Sequence, residues 1–199
     1  MRLVLASASP RRADLLRAAG FSFDTVPAEV DERVRDGERP GDYVRRLALD
    51  KSSAVLETFA ASGATSGLSR NDDLVVLGAD TAVVVDGEIL GKPRDDREAG
   101  AMLRRLSGRR HEVLTGVSLR SRSAERGLVE TTGVYMLELR DQDIAWYLGS
   151  GEGRDKAGAY GIQGLASRFI PRIDGSYANV VGLPVANIPA LLHALASAG

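Results

Sequence analysis

A stretch of hydroxyl and guanidinium side chains near the start of the sequence has the composition of a phosphate-binding site. Residues 7–12 read Ser-Ala-Ser-Pro-Arg-Arg, and they follow an apolar run that predicts a buried strand. Ser9 is suited to cap a helix that begins at Pro10. A helix N-terminus attracts anions, and Ser9, Arg11 and Arg12 add donors for phosphate oxygens. The alternative is a capped helix with a solvated basic first turn, although cations at that end oppose the helix dipole.

A single carboxylate follows the next predicted buried strand. Residues 74–77 are continuously apolar, and Gly78-Ala79-Asp80-Thr81 comes directly after them. Ligands of α/β proteins bind near the C-terminal ends of strands. The Asp80 carboxylate could hold a divalent cation there, or it could accept a proton. The alternative is a turn aspartate that hydrogen-bonds to its own backbone.

A lysine lies in a segment with a superficial likeness to the phosphate-binding P-loop. Residues 87–93 read GEILGKP, so the first glycine is one residue too close and Pro93 stands where the P-loop needs a hydroxyl. A P-loop is therefore excluded. What remains is Lys92, held between Gly91 and Pro93 beside a hairpin turn predicted at Asp86-Gly87. The alternative is a solvated surface lysine.

Two further segments could contribute to a site, and the first of them is rich in glycine. Residues 155–164 read DKAGAYGIQG, in which the backbone can approach a ligand closely and Gln163 can both donate to and accept from a base edge. A flexible loop is the alternative. Residues 175–184 read GSYANVVGLP, and for them a turn and helix entry is the default interpretation.

The elements that must position these residues predict a mixed α/β fold, with helices flanking a mixed sheet. Short apolar runs alternate with amphipathic stretches, without a strict βαβ rhythm. Asp42 is suited to cap a long helix that ends near Ala61, and residues 62–73, rich in Gly, Ser and Asp, predict a surface loop. The length of 199 residues predicts one domain over residues 1–199, either simple or divided into two lobes around a cleft.

Composition excludes several classes of protein. Hydrophobic residues make up 44% of the chain, which excludes wholesale disorder. A net charge of −1 argues against binding to nucleic acid. The absence of cysteine excludes thiol chemistry, and two histidines, His111 and His193, are too few for a typical zinc hydrolase site. No apolar run approaches the roughly 20 residues of a membrane span. We expect a cytoplasmic protein without membrane contact.

Taken together, four segments resemble the signature blocks of the Maf family of nucleoside triphosphate pyrophosphatases, which are named for effects on septum formation. They are SASPRR, VLGADTAVVVDGEILGKPRD, DKAGAYGIQG and GSYANVVGLP, in the family's order and over nearly the whole chain. The resemblance implies two lobes around a cleft, similar to the inosine triphosphatase fold. It also implies metal-dependent release of pyrophosphate from a nucleotide, in the cytoplasm and often as a homodimer.

The resemblance also implies roles for particular residues. Asp80 is the proton acceptor, and the other polar residues of the cleft are Arg12, Glu32, Lys51 and Lys92. The positions linked to base specificity are Arg11, Thr81 and Gln163. The GADT and GIQG forms are similar to the branch that acts on dTTP and UTP, and differ at Thr81 from the branch that acts on 7-methyl-GTP.

The implied chemistry requires neutralisation of phosphate charge before water can attack the α-phosphorus. Arg12, Lys51 and Lys92 are candidates for this, together with Mg²⁺ or Mn²⁺. Glu32 is a candidate metal ligand. Asp80 either orients and deprotonates the water or mainly holds the metal, and the sequence leaves both roles open.

Two functions of other classes stay open at this stage. One is a non-catalytic nucleotide sensor that regulates cell division through a protein partner. The other is a nucleic-acid-binding regulator, which the net charge and an aromatic content of 5% disfavour.

Overall fold

The computed structural model describes residues 1–61 and 74–197, which contain seven strands and six α-helices. The strands are β1 (Arg2–Leu5), β2 (Asp24–Thr25), β3 (Leu74–Val85), β4 (Glu88–Leu90), β5 (Arg110–Arg120), β6 (Glu125–Tyr135) and β7 (Arg172–Asp174). The helices are α1 (Pro10–Ala18), α2 (Pro40–Ala61), α3 (Asp96–Leu106), α4 (Asp141–Ser150), α5 (Tyr177–Val181) and α6 (Ile188–Ala196). The loop predicted at residues 62–73 lies outside the described residues.

The strands form one mixed sheet in the order β2-β1-β3-β5-β6-β7, with β4 paired to β3. β1 is parallel to both β2 and β3, whereas the β3–β4 and β6–β7 pairs are antiparallel. The predicted class, a mixed α/β fold with flanking helices, is confirmed. The likeness to the inosine triphosphatase fold and the single domain over residues 1–199 stay predictions.

The chain forms two compact units. The first comprises Met1–Asp80, Thr115–Val129 and Gly182–Gly199. Its largest core cluster joins β1, β3, α1 and α6, with Leu5, Leu16, Leu77 and Ile188 all fully buried. Residues from both ends of the chain therefore share this core.

The second unit comprises Thr81–Leu114 and Glu130–Val181. Its core packs α3 and α4 against strand residues, with Leu103, Leu106, Tyr147 and Phe169 among the buried side chains. The predicted turn between β3 and β4 is confirmed here. Asp86 and Gly87 both have positive φ angles, 54° and 78°, as a type I′ hairpin requires.

β3 does not end where the sequence predicts. The strand continues from Leu74 through Gly78 and Asp80 to Val85, so Asp80 lies inside a strand and not in a turn. Gly78 is a glycine for a different reason: a Cβ atom there would lie 2.1 Å from the carbonyl oxygen of Ala48. The glycine lets the α2 backbone approach the sheet. Sequence alone cannot distinguish such a contact from a strand end.

The long helix is confirmed, but the predicted cap is wrong. α2 begins at Pro40, two residues before Asp42, which lies in its first turn and pairs with Arg39. Pro40 favours this start because its fixed φ suits the first turn of a helix.

A buried histidine in the second unit makes stability depend on pH. His111, on β5, is 2% exposed, and its Nε2 lies 2.7 Å from the Tyr160 hydroxyl. Burial, with a smaller contribution from the positive charge of Arg110, lowers the pKa of His111 to about 4. In the unfolded chain the pKa is about 6.5, so the unfolded state binds more protons between pH 4 and 6.5. Stability from this group is therefore lost as pH falls through that window.

We expect the free energy of unfolding to fall by about 3 kcal/mol between pH 7 and pH 4 on account of His111. Urea unfolding across this range measures it. The His111→Gln variant keeps a polar side chain but does not titrate, so its pH dependence should be smaller by that amount. His193→Gln, at an exposed position, is the matched control and should behave as wild type. Equal pH dependence in His111→Gln and wild type would contradict the assignment.

Candidate active site

A buried lysine in the first unit holds two carboxylates together. Lys51, on α2, donates from Nζ to Oδ1 of Asp80 at 2.7 Å and lies 2.6 Å from Oε1 of Glu32. The side chains of Lys51 and Asp80 are about one-tenth exposed, whereas that of Glu32 is half exposed. Three residues that are far apart in sequence therefore form one charged cluster.

Arg12 is the second buried cation of this unit. Its Nε donates to the carbonyl oxygen of Gly182 at 2.8 Å, and its Nη1 donates to the Ser7 hydroxyl at 3.2 Å. Burial lowers the pKa of Arg12, and the negative charges of Asp80 and Glu32 oppose that shift. The guanidinium therefore belongs to the same electrostatic cluster, and it stays protonated because its ordinary pKa is so high.

The Ser7–Arg12 segment is a loop and helix start, as predicted. Ser9 is the N-cap of α1 and Pro10 its first residue, but the Ser9 hydroxyl makes no capping bond. Instead, the backbone N–H of Ser9 donates to the Ser7 hydroxyl at 3.1 Å. β1 and β3 are parallel, and Leu5 lies opposite Leu77. Ser7, two residues after Leu5, and Asp80, three residues after Leu77, therefore lie towards the same end of these two strands.

Tyr43 lies beside the charged cluster. Its hydroxyl donates to the backbone carbonyl of Glu32 at 3.0 Å. Burial, together with the negative charges of Asp80 and Glu32, raises the pKa of Tyr43 to about 12. The phenol therefore remains a hydrogen-bond donor at neutral pH.

The charged cluster has the donors for a divalent cation. Glu32 and Asp80 both contact the same ammonium nitrogen, so their carboxylates face one point. Within residues 1–61 and 74–197, no group of three or more acidic or histidine side chains is arranged to hold a metal. Mg²⁺ fits such a pair, because it is commonly bound by one or two carboxylates plus substrate phosphates and water.

The second unit carries the remaining predicted residues. Lys92 is exposed in the segment after β4, Thr81 is half-buried on β3, and Gln163 is exposed in the glycine-rich segment after α4. The structure thus groups Arg12, Glu32, Lys51 and Asp80 in the first unit. It assigns Thr81, Lys92 and Gln163 to the second unit.

The segment around Gln163 is fixed from both sides by α4 and its C-terminus. The Glu152 carboxylate accepts from the Tyr147 hydroxyl at 2.8 Å and from the Leu165 N–H at 2.7 Å. The Tyr147 hydroxyl accepts from the Gly161 N–H at 3.2 Å. Backbone N–H groups on the two sides of Gln163 therefore donate to the buried Tyr147 hydroxyl and to the Glu152 carboxylate.

Sequence reasoning missed Tyr43 and Glu152. Tyr43 has no chemical signature in the sequence, and no spacing signal links it to Glu32. Glu152 follows the left-handed Gly151 that ends α4, and a lone glutamate after a helix has no chemical signature.

None of the helices in the described ranges combines the length and apolar character that a membrane crossing requires.

The chain belongs to the Maf-like protein family, whose family model matches residues 2–195. Its relatives include the dTTP/UTP pyrophosphatase of Anaeromyxobacter dehalogenans (strain 2CP-C), which is 50% identical over 96% of this chain and 93% of that protein. The dTTP/UTP pyrophosphatases of Hahella chejuensis and Vibrio cholerae are 49% and 46% identical, each over 96% of this chain and over 90% and 97% of their own lengths.

Among solved structures, the Staphylococcus aureus Ham1 protein aligns with 68% of this chain and 72% of its own. The identity is 16% and the TM-score 0.42. This likeness is too weak to support an argument about fold or function.

Proposed function

We propose that this chain is a nucleoside triphosphate pyrophosphatase that hydrolyses dTTP and UTP to the monophosphate and pyrophosphate. The observation that carries the proposal is the charged cluster in which Lys51 contacts both Glu32 and Asp80. The negative charges of these two residues also interact with the Arg12 guanidinium. Relatives half identical to this chain carry the name of that activity. Membership of the family agrees with it.

The reaction adds water to the α-phosphorus and breaks its bond to the bridging oxygen, so that pyrophosphate leaves. Asp80 orients the water and accepts its proton. Arg12, Lys51 and Lys92 neutralise the phosphate oxygens, which otherwise repel the attacking water. Ser9 and Arg11, at the start of α1, add donors to the bound nucleotide.

A divalent cation, Mg²⁺ or Mn²⁺, is part of the proposal. When bound, it would supply further charge neutralisation at the phosphate oxygens. Glu32 and Asp80 would hold it, since an oxygen of each carboxylate lies within 2.7 Å of the same Lys51 nitrogen and the two carboxylates are therefore close to each other. Formation of a homodimer and a cytoplasmic location remain predictions.

The preference for uracil and thymine is assigned to Gln163, Thr81 and Arg11. The exposed Gln163 amide offers both a donor and an acceptor, as the edge of either pyrimidine requires. A site whose polar groups stay unpaired with the wrong base discriminates strongly.

We expect purified protein with Mg²⁺ or Mn²⁺ to release pyrophosphate from dTTP and UTP with kcat/KM at least about tenfold above ATP, GTP and 7-methyl-GTP. Gln163→Ala should narrow that ratio, because the base edge loses both hydrogen bonds. Gln142→Ala, at an exposed position on α4, is the matched control and should leave the ratio unchanged. Binding of nucleotide without pyrophosphate release would instead favour a non-catalytic regulator, and a purine preference would contradict the assignment of the base site.

A further inference from the structure

The segment that carries Glu32 has no regular structure of its own. Residues 26–35 form neither helix nor strand, and yet the Glu32 carboxylate lies 2.6 Å from the Lys51 ammonium. The local contact nearest to Glu32 is between its neighbours, since the N–H of Arg33 donates to the Asp31 carboxylate at 3.1 Å, and both of these side chains are exposed. That local contact does not reach across to Lys51, so contacts with α2 are needed to place the Glu32 carboxylate there.

Side chains of α2 supply those contacts through three consecutive carbonyl groups. The Tyr43 hydroxyl donates to the carbonyl of Glu32 at 3.0 Å. Arg46 donates from Nη2 to the carbonyl of Arg33 at 3.1 Å and from Nη1 to that of Asp31 at 3.5 Å. The backbone is thus held at Glu32 and at both of its neighbours.

Arg46 is itself fixed. Its Nε and Nη2 donate to the two carboxylate oxygens of Glu38 at 2.6 and 2.8 Å, and both side chains are nearly buried. Glu38 also accepts from the N–H of Arg35 at 3.0 Å, which closes the same segment at its far end. The Arg46 guanidinium lies 5.6 Å from the Tyr43 ring centroid, so the two side chains support each other.

The helix that holds the segment also carries the lysine that the segment must reach. Tyr43, Arg46 and Lys51 all belong to α2. Because a helix is rigid, backbone contacts from Tyr43 and Arg46 set the reach of the Glu32 side chain towards Lys51 and Asp80.

We infer that Tyr43 and Arg46 are positioning residues that fix the Glu32 carboxylate opposite Asp80 by clamping the backbone of residues 31–33. The inference rests on the proposed function, because it assigns to Glu32 a part in the site. Neither side chain needs to touch the nucleotide. Their effect on the reaction passes through Glu32.

The test is the Tyr43→Phe variant, which removes one hydroxyl and keeps the ring against Arg46. We expect kcat for dTTP to fall about tenfold, with a much smaller change in KM, because a misplaced group costs more in the transition state than in binding. We also expect a higher Mn²⁺ concentration at half-maximal rate. Tyr135→Phe, whose ring contacts Arg172, is the matched control and should retain wild-type kinetics.

A double-mutant cycle with Glu32→Ala separates positioning from a general structural effect. If Tyr43 acts through Glu32, Tyr43→Phe should have little effect on kcat once the Glu32 carboxylate is gone. An undiminished tenfold loss in the Glu32→Ala background would overturn the inference. Wild-type kcat in Tyr43→Phe, with kcat impaired in Glu32→Ala, would overturn it as well.

Hydrogen exchange gives a readout that does not depend on activity. Amides of residues 26–35 should exchange at least about threefold faster in Tyr43→Phe and in Arg46→Gln than in wild type, while α6 remains unchanged. Unaltered exchange in both variants would overturn the clamp. If the wild-type protein releases no pyrophosphate from any nucleotide, the proposed function fails, and this measurement still decides whether the two residues hold the segment.

Discussion

The Asp80→Asn variant is expected to lose at least about 100-fold in kcat for dTTP while remaining folded. The substitution keeps the size of the side chain but removes its charge and its ability to accept a proton. The fold should survive because the Lys51 ammonium keeps its contact with Glu32, and an asparagine oxygen can still accept from Nζ. Pyrophosphate release and thermal unfolding, measured on the same preparation, check both parts.

The control for this variant is Asp141→Asn. Asp141 is an exposed aspartate that pairs with Arg104, so the same chemical change occurs at a position without a proposed role. Its kcat should match that of wild type. A kcat for Asp80→Asn within about threefold of wild type would remove Asp80 from the reaction, because general base catalysis typically contributes far more.

Gly78→Ala and Gly116→Ala are expected to lower the free energy of unfolding by about 3 kcal/mol or more. The added methyl group would lie 2.1 Å from the Ala48 carbonyl oxygen in the first case and 2.2 Å from the Val44 carbonyl oxygen in the second. Both contacts are with the α2 backbone, which cannot rotate away as a flexible side chain can. Urea unfolding at 25 °C measures the loss, and complete failure to fold is its extreme form.

Gly41→Ala is the matched control, because a methyl group there meets nothing within 4 Å and the residue lies in the first turn of the same helix. We expect its stability to equal or slightly exceed that of wild type, since alanine favours helix over glycine. If all three variants unfolded at the same urea concentration, close approach of α2 to the sheet would not be what selects glycine at positions 78 and 116.

The sequence predicted much of the secondary structure that surrounds the site, because local signals define it. Ser9 and Pro10 mark the start of α1, and Asp86-Gly87 marks a hairpin, through preferences that act within a few residues. The sequence also indicates Asp80 as a candidate, but it predicts that the strand ends at Gly78, whereas β3 continues to Val85. The predicted end is wrong because Gly78 is required by close contact with the α2 backbone at Ala48, which is 30 residues earlier in the chain.

The partners inside the site could not be predicted in the same way. Only the resemblance to the family indicates Lys51 and Glu32 as site residues, since no spacing rule connects residues 32, 51 and 80. Tyr43 and Arg46 act on backbone carbonyl groups, and a carbonyl group has no signature in a sequence. Contacts of this kind depend on the tertiary path of the chain.

The hydrogen bond from Arg12 to the Gly182 carbonyl joins residues that are 170 positions apart. In the same unit, Leu183 and Ile188 pack in one hydrophobic core with Leu5 and Leu16. During synthesis, the first 80 residues therefore emerge long before the segment that completes their core. The Arg12 guanidinium acquires this anchor only after residue 182 has been synthesised, so the proposed site stays incomplete in a nascent chain that lacks this segment. Deletion of residues 182–199 should leave Arg12 and this core unsupported, although every proposed site residue would still be present.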